Sequence, residues 1–184
     1  TNCFHNILNK EKRIQSEVIY TGKLLELRRD IVSTISGKSS REVIRHPGAS
    51  VIIPLTSNNT IIFVKQFRYA INNFLIELPA GLIEKNELHK DTAQRELQEE
   101  TGYSSNKLTN IGKFWTAPGF CDELIYVYLG EDLRYEPLPS DIDEDIETIE
   151  IKLTEANEKI INGTITDSKT ISALNMFSLF RNLN

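Results

Sequence analysis

The sequence predicts an α/β fold (α+β by some schemes), with helices layered on a mixed sheet and a small antiparallel sheet ahead of it. Three observations predict this. Residues 50–55 and 60–64 are nearly continuous apolar runs, as in strands covered on both faces. Helical spacing of apolar residues appears in 88–101, 153–161 and the last segment. Before residue 45, apolar and polar residues partly alternate, as in a sheet with one wet face.

In chain order, 17–20, 24–32 and 41–45 read as short strands, with Gly22 and Ser36-Gly37-Lys38 turning the chain between them. Asn58-Asn59 punctuates the two buried strands that follow. Residues 88–101 read as a helix packed through Leu88, Thr92, Ala93 and Leu97. Gly102 follows, where a left-handed residue ends a helix. Residues 125–129 are a strand, and 153–161 a helix closed by Asn162-Gly163. Asp167 or Ser168 can cap a last helix with the stripe Ile171, Leu174, Phe177, Leu179 and Phe180. Repeats and linkers are absent, so we expect an N-terminal β appendage over 1–45 and a catalytic domain over 46–184.

Composition narrows the function. The chain has 184 residues, 40% hydrophobic and 26% charged, as in a globular protein with its own core. A net charge of −5 argues against a general nucleic-acid binder. No apolar run is long enough to span a membrane, and the first residues have neither the basic nor the apolar segment of a secretory leader. Cys3 and Cys121 match no metal-ligand spacing and build no disulfide framework, so a reducing, cytoplasmic setting is expected. His5, His46 and His89 show no triad or metal spacing and read as surface or turn residues.

The helix over 88–101 carries the chemistry. Glu96, Glu99 and Glu100 are three and four residues apart and share a face. Two carboxylates ~6 Å apart repel by roughly 3 kcal/mol at an effective dielectric of 20. They also sit in the last turns, where the helix dipole disfavours negative charge. Arg95 offsets one charge, and no Lys lies four residues after any of the three. On charge alone, a solvated acidic face and a divalent-cation site are equally good readings.

The wider spacing separates them. Gly81, five residues, Glu87, seven residues, Arg95-Glu96-Leu97, one, Glu99-Glu100, one, then Gly102-Tyr103: this resembles the Nudix box at every fixed position. The resemblance implies a Nudix α/β/α sandwich around a mixed sheet, and hydrolysis of a nucleoside diphosphate linked to another moiety. It implies Glu96, Glu99 and Glu100 as metal ligands, with the Ala80 carbonyl as a further ligand and Mg2+ or Mn2+ as the ion. Arg95 would orient a glutamate, Glu87 would support the loop–helix corner, and Gly81 and Gly102 would serve backbone geometry.

Beyond the box, the likeness runs from about Val18 to Leu179 and is strongest toward the ADP-ribose pyrophosphatases. Pro118 lies sixteen residues beyond Gly102, where that group carries a proline. Pro118-Gly119 alone would be a turn, and Arg68 or Arg41 alone a solvated cation. Coupled to the box, they are expected to contact substrate, as is Glu42 beside Arg41. In the family the N-terminal sheet is exchanged between subunits, which implies a homodimer. The acidic stretch 141–151 resembles a mobile loop that supplies a general base, Glu147 by alignment or Glu144 as its rival, with a box residue such as Glu99 as a third choice. The tryptophan that stacks adenine in some members has no counterpart; Arg41, Phe67 or Tyr69 could replace it. Trp115 is expected in the core.

The expected activity is therefore metal-dependent hydrolysis of ADP-ribose to AMP and ribose 5-phosphate. Alternatives are a pyrophosphatase for another nucleoside diphosphate sugar, such as an ADP-hexose or GDP-mannose, and a binding module without turnover. The expected partner is a small-molecule nucleoside diphosphate sugar, with neither nucleic acid nor membrane.

Overall fold

The structure is a computed structural model that describes residues 9–139 and 145–183. It divides into two compact units, Thr1–Pro47 with Ala117–Glu123, and Gly48–Thr116 with Leu124–Asn184.

The first unit is an antiparallel meander of β1 (Lys12–Thr21), β2 (Glu26–Thr34) and β3 (Gly37–Arg45). Gly37 takes a φ of 120° at the hairpin opposite Thr34, a conformation that glycine adopts without strain. Every residue of β1 is exposed, including Ile14, Val18, Ile19 and Tyr20. The segment Ala117–Glu123 belongs to this unit, which the sequence did not suggest. It is stitched to β3: the Ile44 amide donates to the Phe120 carbonyl (2.7 Å), and the Asp122 amide donates to the Ile44 carbonyl (3.1 Å). Arg45 pairs with Asp122 at 2.5 Å.

The second unit is built on β4 (Ala49–Pro54), all of whose residues are buried. β4 runs parallel to β9 (Leu124–Tyr135) and antiparallel to β7 (Ala80–Leu82), in a sheet of order β7-β4-β9-β8 with β8 (Tyr103–Trp115) at the edge. A second sheet has the order β10-β5-β6, from β10 (Ile146–Lys152), β5 (Thr60–Arg68) and β6 (Asn73–Glu77). The mixed sheet is thus two sheets. Side-chain alternation explains why β4 is apolar throughout. Val51 and Ile53 face a core shared with Phe63, α2 (Leu153–Ile161) and α3 (Ser168–Leu183), while Ile52 faces Ala93 and Leu97 of α1 (His89–Thr101). With Val51, Ile52 and Ile53 all at 0% exposure, each contributes about 1.5–3 kcal/mol of burial.

Several expectations are corrected. Leu88 precedes α1 and is exposed; Glu96 and Glu100 take part in the buried stripe beside Thr92, Ala93 and Leu97. In α3, Leu179 is exposed, and Thr170 and Ala173 are buried with Leu174 and Phe177. Trp115 ends β8 on the surface and is not core. His89 is no plain surface residue: its ring stacks on Tyr126 at 3.9 Å, and its Nδ1 lies 2.5 Å from the Tyr128 hydroxyl. β8 was not foreseen, and much of the acidic stretch expected as a loop is β10.

Candidate active site

α1 brings the box together. Its C-terminus is set by Gly102, at φ 78°, whose amide donates to the Gln98 carbonyl. Arg95 lies at the centre of the acidic cluster. Its Nη1 donates to Glu96 Oε1 (2.6 Å) and Glu99 Oε2 (2.8 Å). Its Nε donates to Glu87 Oε1 (2.9 Å), and its Nη2 to Glu87 Oε2 and the Leu82 carbonyl, both at 3.1 Å. Glu87 also accepts from Thr92 Oγ1 (2.7 Å) and the Glu84 amide (3.0 Å). The Arg95 hydrogen bonds, outweighing partial burial, hold the Glu87 carboxyl at a pKa of about 2, so it stays anionic. The pairing with Glu87 likewise raises Arg95 above its ordinary value.

This network answers the electrostatic problem posed by the sequence. One guanidinium offsets the repulsion between Glu96 and Glu99 and ties both to the loop after β7. Glu100 points elsewhere: its Oε2 accepts the Ala80 amide at 3.0 Å. Ala80 pairs with Val51 in the buried strand β4, so the backbone beside the cluster is fixed from below. A Cβ on Gly81 would lie within 3.0 Å of Cδ and both oxygens of Glu96. Glycine at 81 therefore leaves the space that Glu96 occupies.

The donor set is all oxygen: three carboxylates and the nearby Ala80 carbonyl. That is the chemistry of a hard divalent cation. Among the described residues, no three His, Cys, Asp or Glu side chains converge on one point as they stand. Arg95 holds two of the glutamates, and Glu100 engages the Ala80 amide. The residues fit such an ion by donor type, and glycine at 81 lets the Glu96 carboxylate lie against the backbone next to Ala80.

A second cluster adjoins the first and was missed by sequence reasoning. Glu77, 1% exposed at the end of β6, accepts two bonds from Arg68, Nε to Oε1 and Nη2 to Oε2, each 2.7 Å. Lys169 of α3 also donates to Glu77 Oε2. Burial pushes the Glu77 carboxyl up, but the bonds from Arg68 and Lys169 outweigh it and hold it below the usual carboxylate range. The same pairing raises Arg68, which also feels the charges of Glu100 and Asp167. Two signals could have exposed this cluster: a lone Glu in the apolar run Leu75-Ile76-Glu77-Leu78, and the Asp167-Ser168-Lys169-Thr170 start of a helix.

Other expected site residues fall elsewhere. Glu147 lies on β10 opposite Lys65, with which it pairs at 3.3 Å. Strand alternation puts both on the sheet face of Phe63 and Ile149, not on the face of Arg68 and Glu77. Glu144 lies outside the described residues. In the first unit, Arg41 binds Glu11 (2.5 and 3.1 Å) and Ser39, while Glu42 is exposed opposite Arg29. Pro118 and Gly119 belong to that unit, in the segment whose next residues pair with Ile44. A cavity of about 550 Å³ in the second unit, lined partly by Thr56, Asp132 and Glu150, meets the box only at its last residue, Tyr103, and is lined by none of the box glutamates.

An α/β/α core, an acidic helix after a glycine-containing turn, and carboxylates gathered on an arginine define a hydrolase of the Nudix class. Residues 44–174 match the NUDIX domain family model, and the chain belongs to that family. Over 173 residues it is 40% identical to an ADP-ribose pyrophosphatase of Bacillus subtilis (strain 168), spanning 92% of this chain and 94% of the relative. It is 39% identical over 175 residues to a methanol dehydrogenase activator of Bacillus methanolicus, spanning 94% and 95%. A crystal structure of an ADP compounds hydrolase has the same fold, with a TM-score of 0.83 at 21% identity over 94% of this chain and 95% of the other. Nudix hydrolases generally use divalent metal ions. No helix among the described residues is long and apolar enough to cross a membrane.

Proposed function

We propose that the protein hydrolyses the pyrophosphate bond of ADP-ribose, giving AMP and ribose 5-phosphate, with Mg2+ or Mn2+ held by Glu96, Glu99, Glu100 and the Ala80 carbonyl. The observation that carries this reading is the gathering of Glu96 and Glu99 on Arg95, with Glu100 on the adjoining Ala80 amide and Arg68 close enough to feel the Glu100 charge. The relative from Bacillus subtilis, similar along nearly the whole chain, supports ADP-ribose over other nucleoside diphosphate sugars. When bound, a divalent cation supplies Lewis-acid polarisation of phosphate oxygens and a lowered pKa for water.

The chain's own residues do the rest. Arg68 uses Nε and Nη2 on Glu77, so Nη1 is the nitrogen it offers to a phosphate oxygen. Arg95 orients Glu96 and Glu99, drawing both carboxylates to one guanidinium nitrogen and offsetting their mutual repulsion. Glu99 is our candidate proton acceptor: its side chain is 23% exposed against 11% for Glu96, so water reaches it. Glu147 is its rival. Arg41, Glu42, Pro118 and Gly119 are proposed to contact the remainder of the substrate. The exposed apolar residues of β1 support the first unit as a homodimer contact. We also propose a cytoplasmic location, from two cysteines far apart in sequence that build no disulfide framework.

The test is AMP release from ADP-ribose with Mg2+. We expect turnover by the wild type and a loss of about 100-fold or more in Glu100→Gln. Equal rates would remove the metal-site reading. A panel with GDP-mannose and ADP-glucose tests the substrate; a GDP-mannose preference would replace ADP-ribose.

A further inference from the structure

We propose that Asp167, Lys169 and Thr170, at the entry to α3, form a clasp of positioning residues that sets the orientation in which Arg68 meets the substrate's diphosphate. This rests on the reading of Arg68 as a phosphate contact and adds how the arginine is held.

The clasp grips the chain at two adjacent residues, from 92 residues away in sequence. Lys169 Nζ donates to the Glu77 carboxylate and to Asp167 Oδ2 (3.0 Å). The Leu78 amide donates to Thr170 Oγ1 (2.8 Å), whose hydroxyl donates on to Asp167 Oδ2 (2.7 Å). Asp167 Oδ2 also accepts the Thr170 amide at 2.9 Å, capping α3. One aspartate oxygen therefore ends three donors, and Glu77 and Leu78 are both tied to one helical turn.

The arrangement costs too much to be incidental packing. Glu77 is 1% exposed and the side chains of Asp167 and Lys169 14% and 15%. Buried charges are tolerated only when paired and hydrogen-bonded. Here two cations meet two anions, so the cluster is neutral, and Arg68 alone is substantially exposed, at 40% of its side chain. A lone Arg68–Glu77 pair would satisfy Glu77 but leave its carboxylate free to turn about its last torsion, carrying the guanidinium with it. Lys169 on Oε2 stops that rotation, and Thr170 on the next amide stops the backbone from following. The free edge of Arg68 then points one way. Two residues past Leu78 is Ala80, whose amide holds Glu100, so the same corner registers the phosphate-facing arginine against the acidic cluster. Fixing a reactant by preorganised donors in this manner acts on binding and orientation.

The experiment compares Lys169→Met, Asp167→Asn and Lys169→Arg, each alone and combined with Arg68→Lys, in steady-state hydrolysis of ADP-ribose. Lys169→Met is expected to raise KM about tenfold, with kcat changing less than about threefold, and Lys169→Arg to restore most of the loss. Asp167→Asn keeps a helix cap, so it serves if Lys169→Met does not fold, and its KM should rise about threefold or more. The double variants should be no worse than Arg68→Lys alone, because both changes act through one guanidinium. Single effects that multiply in the double variants, or a KM within about twofold of wild type in a folded Lys169→Met, would overturn the clasp. If the wild type does not turn over ADP-ribose, the functional reading fails separately. The same variants are then titrated with inorganic pyrophosphate by calorimetry, where an unchanged affinity overturns the clasp and a coupled loss supports it.

Discussion

Gly81→Ala separates folding from chemistry at this site. Its backbone φ is not in the left-handed region, so alanine fits the main chain. The new Cβ, however, would come within 3.0 Å of all three terminal atoms of Glu96. Ordinary carbon–oxygen contact is about 3.5 Å, so the carboxylate must retreat by about 1 Å or more. Arg95, 2.6 Å from Glu96 Oε1 and pinned by Glu87, resists the retreat, so the two move together or their bond lengthens. A displacement of ~1 Å in a positioned group costs about 100-fold in rate, or about 2.7 kcal/mol of transition-state stabilisation. Stability should barely move, because alanine narrows the unfolded ensemble by about 0.4–1 kcal/mol and so offsets part of the strain. The assay is kcat/KM for ADP-ribose across a Mg2+ titration, beside thermal melting. We expect a loss near two orders of magnitude and a melting temperature within about 5 °C of wild type. An enzyme within about threefold of wild type at every Mg2+ concentration would refute the placement of Glu96 against Gly81.

Other outcomes follow from the same contacts. Glu87 is held at a pKa of about 2, below its unfolded value near 4.3, so its contribution to stability is full above about pH 4.3 and fades as pH falls toward 2. Glu87→Gln should melt well below wild type at neutral pH, with the gap closing as pH falls through that window; a constant gap would contradict the pairing with Arg95. Thr170→Val leaves the buried Leu78 amide without its acceptor and should cost about 1–3 kcal/mol in urea unfolding. Leu97→Ala removes a fully buried side chain between α1 and Ile52 and should cost about 2–5 kcal/mol by the same measurement. Glu99→Gln should lower kcat more than Glu147→Gln; the reverse order in a pH–rate comparison would transfer the base to the segment around Glu147.

What was legible in the sequence was local. α1 announced itself through Ala93 and Leu97 at helical spacing and Gly102 at its end, and all three behave as read. β4 and β5 were visible because burial on both faces leaves an apolar run. β8 was hidden because it is an edge strand: Ser105, Asn106, Lys107 and Asn110 replace an apolar pattern, and the register slips between Asn110 and Gly112. β10 carried a usable signal, Ile149 and Ile151 on one face, beneath the acidity that suggested a loop. Leu88, Trp115 and Leu179 show the opposite error, apolar residues assigned to the core that the chain leaves exposed. The box was readable since Glu87 to Gly102 folds on itself. The partnership of Glu77 with Lys169 was not, because it joins two elements through tertiary packing alone.

The buried position of β4 bears on how the protein opens. Its amides are flanked by β7 and β9, with a helix over each face, so it is the element least able to exchange its hydrogens through partial unfolding. Ala80 stands opposite Val51 in that strand's ladder, and its amide donates to Glu100. The acidic cluster meets that strand only through β7, three residues long and itself an edge of the sheet, with Pro79 just ahead of it accepting the Ile52 amide at 2.9 Å. Opening of that short edge releases Glu96 and Glu100 from Gly81 and Ala80 while β4 stays closed, so the catalytic geometry can be lost locally, ahead of the global transition.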